Sequence, residues 1–371
     1  MNDNLKDFLQ KTNIQEKISA KDIESILSLN KTQEINNLYN EAYLIKKKEV
    51  SNTVYFRGLI ELSNICNKDC YYCGIRKSNK KVKRYMISEN EVLKAAKWAF
   101  EHRYASIVLQ SGERNDDEFI SFVENILKKI KKISNNKLGI TISLGEHSLE
   151  TYKRWFEAGA HRYLLRIETS NQKLYNKLHP KNHSFENRID CLKKIKKIGY
   201  QTGTGVMIGL PGQTTLDLAN DLLFFKEMDI DMIGMGPYIP HNETPINNIA
   251  QGKMIPKEKR LELSLKMIAI ARILLKNINI AATTALETIS DTGKELGLKA
   301  GANVLMPNIT DIKYRSSYKL YDGKPCLAED NSHYQHYLEN RIQAIGEKIG
   351  YDKWGDSLHY KAYFATASTN I

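Results

Sequence analysis

Three of the five cysteines in this 371-residue chain stand close together, in the stretch CNKDCYYCG at residues 66–74. Cys66, Cys70 and Cys73 follow the spacing C-x3-C-x2-C. Three thiolates so spaced can hold three corners of a cubane iron–sulfur cluster, which leaves the fourth iron without a protein ligand. An open metal position serves catalysis, whereas a structural site fills it, a rule best documented for zinc. Other chemistries compete. A tetrahedral zinc site wants a fourth Cys or His close by, and the next histidine, His102, is more than a helix away. A redox pair of Cys70 and Cys73 would leave Cys66 idle. Ferredoxin loops usually supply four cysteines.

A second group of reactive residues lies on strand-like stretches. In RYLLRIE, alternation puts Arg162, Leu164, Arg166 and Glu168 on one face, and in ITISLGE it puts Thr141 and Ser143 opposite Ile140, Ile142 and Leu144. Two arginines and a glutamate facing a barrel interior need a ligand, a partner or water. They suit either a ligand-lined cavity or an internal salt-bridge network.

The elements that must position these groups follow one rhythm. Strand signals occur at VYFRGLIELS, ASIVLQ, LGITISL, RYLLRIE, QTGTGVMIGL, IDMIGMGPY, INIAATTA and ANVLMPN. Helical patterns lie between them at 88–102, 116–133, 148–158, 184–198, 214–228, 257–275 and 290–299, with cap signals at Ser88 and Thr214. Eight strands with seven intervening helices predict an α/β fold, a (β/α)8 TIM-type barrel. An open doubly wound sheet is the alternative. The expected organisation is an N-terminal helical extension at 1–53, the barrel at 54–310, and a polar C-terminal segment at 311–371 that packs on the barrel.

Composition narrows the function classes. The formal charge is +12, but lysines in ILKKIKKIS and CLKKIKKIG fall on the solvated side of helices, which favours a general pull on anions over a nucleic-acid footprint. No apolar run reaches a membrane span, and the first residues carry acids and no apolar signal core. Sparse, clustered thiols argue against a disulfide framework. The expectation is a cytoplasmic protein with no membrane and no nucleic-acid partner.

The cysteine loop, with Tyr72 before its last cysteine, resembles the cluster loop of radical S-adenosylmethionine (SAM) enzymes. The resemblance implies a 4Fe–4S cluster on Cys66, Cys70 and Cys73, with SAM chelating the open iron and yielding a 5′-deoxyadenosyl radical. LQSGE at 109–113 resembles the superfamily's turn for the SAM amino group, implying Ser111, Gly112 and Glu113 as cofactor-binding residues. Glu168 and Arg188 match positions at the methionine or ribose part, and GVMIGLPGQT, with Met207, resembles the segment beside adenine. Tyr72 and Ser143 complete the cofactor-binding set implied by the resemblance.

Further stretches resemble the HydE family of FeFe-hydrogenase maturases: SLGE, RYLLRIET, SFENR, GLPGQT, GPYIPH, ATTA, GANVLMPN and YRSSYKLYDGK. The likeness covers about residues 50–330. It implies an anaerobic enzyme that acts with HydG and HydF on the di-iron subcluster of the hydrogenase. The substrate would be a cysteine-bound Fe(CO)2(CN) synthon made by HydG, attacked at sulfur by the adenosyl radical. The substrate set so implied is Gln110, Thr141, Arg162, Arg166, Thr283, Thr284, Met306, Tyr318 and Tyr321, with Arg166 and Tyr321 as catalytic residues. Guanidinium groups suit an anion bearing carboxylate and cyanide. Tyr321 is a proton or hydrogen donor on one reading and a packing residue on another.

Some relatives carry a second cluster on three tail cysteines; here Cys326 fits the first position but Tyr334 and Tyr337 fill the others, so no second cluster of that kind is expected. SGERND and MPNITDIKYR also depart from the family's commoner wording. Cys191 reads as a helix-face packing residue. Rival readings are a mutase of the methylornithine synthase type and a noncatalytic iron–sulfur scaffold. Biotin synthase would need further barrel cysteines.

Replacing any one of Cys66, Cys70 or Cys73 with Ala is expected to abolish normal cluster assembly and deoxyadenosine production. Full SAM cleavage by Cys70→Ala, measured by chromatography of the nucleoside, would contradict the assignment.

Overall fold

The computed structural model describes residues 2–246, 254–325 and 331–362. Strands β1 (Thr53–Phe56) and β2 (Gly58–Ser63) are separated only by Arg57 and run into one stave. They are followed by β3 (Ser106–Ser111), β4 (Gly139–Ser143), β5 (Arg162–Leu164), β6 (Gln201–Thr204) and β7 (Met207–Ile208). Then come β8 (Met232–Ile233), β9 (Gly236–Pro237), β10 (Asn279–Ile280), β11 (Val304–Leu305) and β12 (Lys348–Ile349). A parallel sheet runs in the order β10-β8-β6-β5-β4-β3-β2. β11 then joins its two edges: Val304 pairs with Tyr55 and bridges Ala281, while Asn308 bridges Leu59. The expected strand segments thus form a curled parallel barrel with helices outside. β7 and β9 pair with each other beyond the ends of β6 and β8.

The helices obey the expected signals. Capping boxes at Ser88 with Glu91 and at Thr214 with Asp217 start Glu89–Glu101 and Thr215–Glu227. Helix Asp117–Ile133 buries Phe119, Ile120, Val123, Ile126, Leu127 and Ile130, a three-to-four spacing that leaves Lys128 and Lys132 exposed. Three short helices escaped the sequence reading, among them Ile312–Arg315. Gln172–Leu178 is capped by Asn171, and Thr284–Ile289 begins inside the stretch expected to be strand, so the strand signal INIAATTA ends early. Helices Asp3–Asn13, Ala20–Leu27 and Thr32–Glu49 occupy the N-terminal region, and the last two pack on Thr215–Glu227 and Lys257–Leu275 respectively. Buried Lys46 on Thr32–Glu49 reaches Glu347 at 2.8 Å. No helix among the described residues is long and apolar enough to cross a membrane. Cys326 lies outside the described residues.

Residues 354–357 cover the N-terminal end of the barrel. The Gly355 carbonyl accepts from Arg57 (3.1 Å) and Asn279 (2.8 Å). Asp356 accepts from Arg162 (2.6 Å) and Gln201 (2.8 Å), and Ser357 N–H donates to Gln201 (3.0 Å). Two residues of the expected substrate set lie at this end. Arg162, expected in the substrate set, is fully buried at this end, and its charge is met by Asp356. Thr141, also expected there, pairs in register with Arg162 and accepts from its Nε at 2.8 Å. Both sit one inward layer below Ser143 and Leu164, because same-face residues lie two positions apart, about 7 Å along a strand. The salt-bridge reading holds for Arg162.

Burial alone would raise the Asp356 carboxyl, but His161 and Arg162 hold it well below the usual range. Asp356→Ala strands a buried guanidinium and is expected to cost about 3 kcal/mol in urea denaturation. Asp352→Ala, which breaks an exposed pair with Arg103, should leave the midpoint nearly unchanged.

Candidate active site at the C-terminal end of the barrel

The cysteine loop leaves β2 at Ser63 and is held from several sides. Asn67 N–H donates to the Glu113 carbonyl (2.8 Å), Tyr71 N–H to Leu178 (2.9 Å) and Gly74 N–H to Leu320 (2.8 Å). The Arg84 guanidinium donates to the carbonyls of Asn64 (2.6 Å), Ile75 (2.8 Å), Arg76 (2.6 Å) and Asn79 (3.1 Å), which gathers the loop's two ends. Close approach explains two glycines. A Cβ on Gly112 would stand 2.4 Å from the Ile65 carbonyl oxygen and 2.8 Å from Cys66 Cβ; one on Gly74 would stand 2.2 Å from the Lys319 carbonyl oxygen.

Above the ring lies a cavity of about 320 Å³, and the sequence-predicted residues gather there. Cys66, Cys70 and Cys73 line it together with Tyr72, Ser111, Gly112, Glu113, Ser143, Glu168, Arg188 and Met207. So do Gln110, Arg166, Thr283, Thr284, Met306, Tyr318 and Tyr321. Thr141 and Arg162 do not; Thr141 lines a separate void of about 20 Å³ beneath. Glu168 has φ +67, a left-handed conformation rare for a residue with a side chain. Its backbone pairs with Gly205 and Met207, which holds the carboxylate at the strand end despite that strain.

The charges are arranged in three groups. Arg166 Nη2 stands 2.9 Å from Glu168 Oε2, but the two are not aligned as a hydrogen bond. Both atoms, and Arg166 Nε, are buried with no hydrogen-bond partner among the described residues. Glu146 forms the second group: it accepts from Arg188 (2.5 Å), Lys68 (2.7 Å) and Asn187 (2.8 Å), and Lys68 also reaches Glu113 at 3.4 Å. The third is the buried pair of Glu61 and Lys324, whose ammonium lies 4.9 Å from the Tyr318 ring centroid. Sequence reasoning did not single out Glu61, Lys68, Glu146 or Lys324. The signals existed: Lys68 sits inside the cysteine loop, Glu146 closes SLGE, Glu61 is an acid in a buried strand, and Lys324 ends YKLYDGK.

Burial pushes all three cluster-loop thiols up, Cys70 to about 12, so metal binding must displace their protons. Burial likewise pushes Tyr321 up to about 12 and pushes His179 and His183 down to about 3 and 4. The donor set fits an iron–sulfur cluster. Three thiols line one cavity, and Glu113 N–H points at Cys66 Sγ from 3.3 Å. Cys191 lies away, its thiol 3.8 Å from the His147 carbonyl. SAM fits as well. Ser111, Glu113, Glu168 and Arg188 line the same cavity as the thiols.

The chain is similar to known proteins in sequence and in fold. Residues 60–225 match the model of the radical SAM superfamily. The chain is 45% identical over 334 residues to the FeFe-hydrogenase maturase subunit HydE of Thermotoga maritima, covering 90% of this chain and 92% of that one. It is 27% identical to 3-methylornithine synthase of Methanosarcina acetivorans, covering 81% and 83%. Among solved structures, methylornithine synthase superposes with a TM-score of 0.76 at 23% identity over 97% of this chain and 99% of that one. The maturase HydG of Carboxydothermus hydrogenoformans gives 0.78 at 19% over 97% and 81%, a likeness of fold.

The Glu146 group yields a pH test. Burial alone would raise this carboxyl, but Arg188 and Lys68 prevail and hold it at about 2, against an ordinary 4.5. A depressed carboxylate contributes stability in full above its unfolded pKa and loses it as pH falls through the folded one. Thermal midpoints of the wild type should therefore fall between pH 4.5 and about 2. Glu146→Gln should flatten that part of the profile and lower the midpoint at neutral pH.

Proposed function

This chain belongs to the radical SAM superfamily and, within it, to the HydE family of hydrogenase maturases, and on that premise we propose that it cleaves SAM to a 5′-deoxyadenosyl radical that attacks the sulfur of a cysteine-bound Fe(CO)2(CN) synthon. What supports the reading is one coincidence of chemistry: the three thiols line the same cavity as a cation and a carboxylate, Arg166 and Glu168. When bound, the cluster supplies the electron that breaks the sulfonium S–C5′ bond.

The chain's own residues divide the remaining work. Cys66, Cys70 and Cys73 hold the cluster and leave one iron open. Glu113, Glu168, Arg188 and the Ser111–Gly112 turn bind and orient SAM, with Tyr72, Ser143 and Met207 beside it. Arg166 offers a planar cation to the carboxylate or cyanide of the synthon. Thr283 and Thr284, at the start of their short helix, and Gln110 orient it. Met306 and the ring of Tyr318 exclude water. Tyr321, fully protonated at neutral pH, holds a proton available at its hydroxyl. The synthon would come from HydG, and the product would pass to HydF in an anaerobic cytoplasm.

The test supplies anaerobically reduced protein with SAM and the iron synthon. Electron paramagnetic resonance (EPR) should show an iron-centred radical that Arg166→Ala loses while retaining the cluster. An isomerised lysine as product would overturn the assignment in favour of the mutase. A cubane indifferent to added SAM would favour the scaffold.

A further inference from the structure

The loop that carries the cysteines is backed by a turn that neither the sequence motifs nor the cavity draws attention to, residues 178–183 with the sequence LHPKNH. It links helix Gln172–Leu178 to helix Phe185–Ile198. Its first carbonyl, on Leu178, accepts from Tyr71 N–H (2.9 Å). His179 Nδ1 faces the Tyr175 carbonyl at 2.8 Å, so that nitrogen carries the proton, and Nε2 accepts from the Tyr72 hydroxyl at 3.2 Å. One turn therefore engages both Tyr71 and Tyr72 from behind.

His183 completes the contact. It is 6% exposed, and its ring places Nδ1 4.0 Å from Cys70 Sγ. Its other nitrogen, Nε2, receives the Asp69 backbone N–H at 3.4 Å. A backbone N–H can only donate, so Nε2 is the acceptor, and a neutral imidazole then carries its proton on Nδ1, toward the sulfur. The direction of that amide is fixed, because the Asp69 carboxylate is tied to Arg76 (2.9 Å) and to the Ser78 N–H and hydroxyl (2.9 and 2.8 Å). The His183 backbone N–H is held in turn by the Pro180 carbonyl (2.9 Å).

We propose that His183 donates a hydrogen bond from Nδ1 to the Cys70 sulfur and thereby raises the reduction potential of the bound cluster. The proposal rests on the reading of Cys66, Cys70 and Cys73 as cluster ligands. Its physical basis is general: hydrogen bonds to cluster sulfurs set the potential, and groups behind the ligands tune the metal. A reduced cluster carries one more negative charge, so an N–H aimed at a ligand sulfur stabilises it more than the oxidised form. His183 is a positioning residue in this account, since it touches a ligand and neither SAM nor substrate.

The experiment is an EPR-monitored redox titration of the reconstituted full-length protein, without SAM. His183→Leu is expected to bind the cluster and to shift its midpoint to lower potential. The reduced-to-oxidised ratio at the wild-type midpoint should fall by up to tenfold, which for one electron corresponds to about 59 mV. His183→Asn, whose amide N–H can reach where Nδ1 stood, should recover part of the shift, which a loss of packing alone would not. A second measurement needs no non-donor variant: pulsed EPR of the reduced wild type labelled with 15N-histidine should show a nitrogen coupling that His183→Asn removes. Equal midpoints for wild type and His183→Leu, both cluster-loaded, or no such coupling, would overturn the proposal and leave the cluster reading intact. A wild type that assembles no cubane would instead overturn the cluster reading itself.

Discussion

The carboxylates Glu61, Glu113, Glu146 and Glu168 are buried at the C-terminal end of the barrel, so each needs its counter-charge within the protein. Glu146 carries the largest share of that demand, holding Arg188 from one helix and Lys68 from the cysteine loop at once. Through Lys68 the loop is anchored electrostatically to β4's exit; through Arg188 the same anchor reaches the helix Phe185–Ile198. Arg188 also donates to the Arg166 carbonyl (2.7 Å), so the order of the Arg166–Glu168 segment depends on the same carboxylate.

Two arginines four residues apart show how the barrel divides its labour. Arg162 and Arg166 derive from one strand-like stretch of sequence. Arg162 meets Asp356, Thr141 and the Trp354 carbonyl and has spent its charge on closing the barrel's N-terminal end. Arg166 meets a single carboxylate imperfectly and keeps hydrogen-bonding capacity to spare. The first contributes stability, and the second is left for the ligand proposed above. The difference arises from the C-terminal segment, whose Asp356 stands beside Arg162.

That division explains what could be read in advance. The cysteine loop was legible because ligand spacing is covalent information carried by a few adjacent residues. The strands were legible because alternation is local, and the long helices because caps and three-to-four spacing agree. Layer height inside the barrel was not legible: Thr141 and Ser143 look alike in the sequence, and only register separates the floor from the cavity. The partner of Arg162 lies 194 positions away, beyond any periodic signal. Glu146 seemed an ordinary acid after a strand until Lys68 and Arg188 came to it from distant segments. The helix Gln172–Leu178 is too short to build a periodic pattern, and with it the LHPKNH turn went unnoticed.

Arg84 has a further consequence. Its guanidinium grips four carbonyls, so the curvature of the cysteine loop is held by hydrogen bonds from one side chain. Two ends of one loop then share a single clasp, and the three thiols owe their common frame to a side chain that lies outside their own spacing.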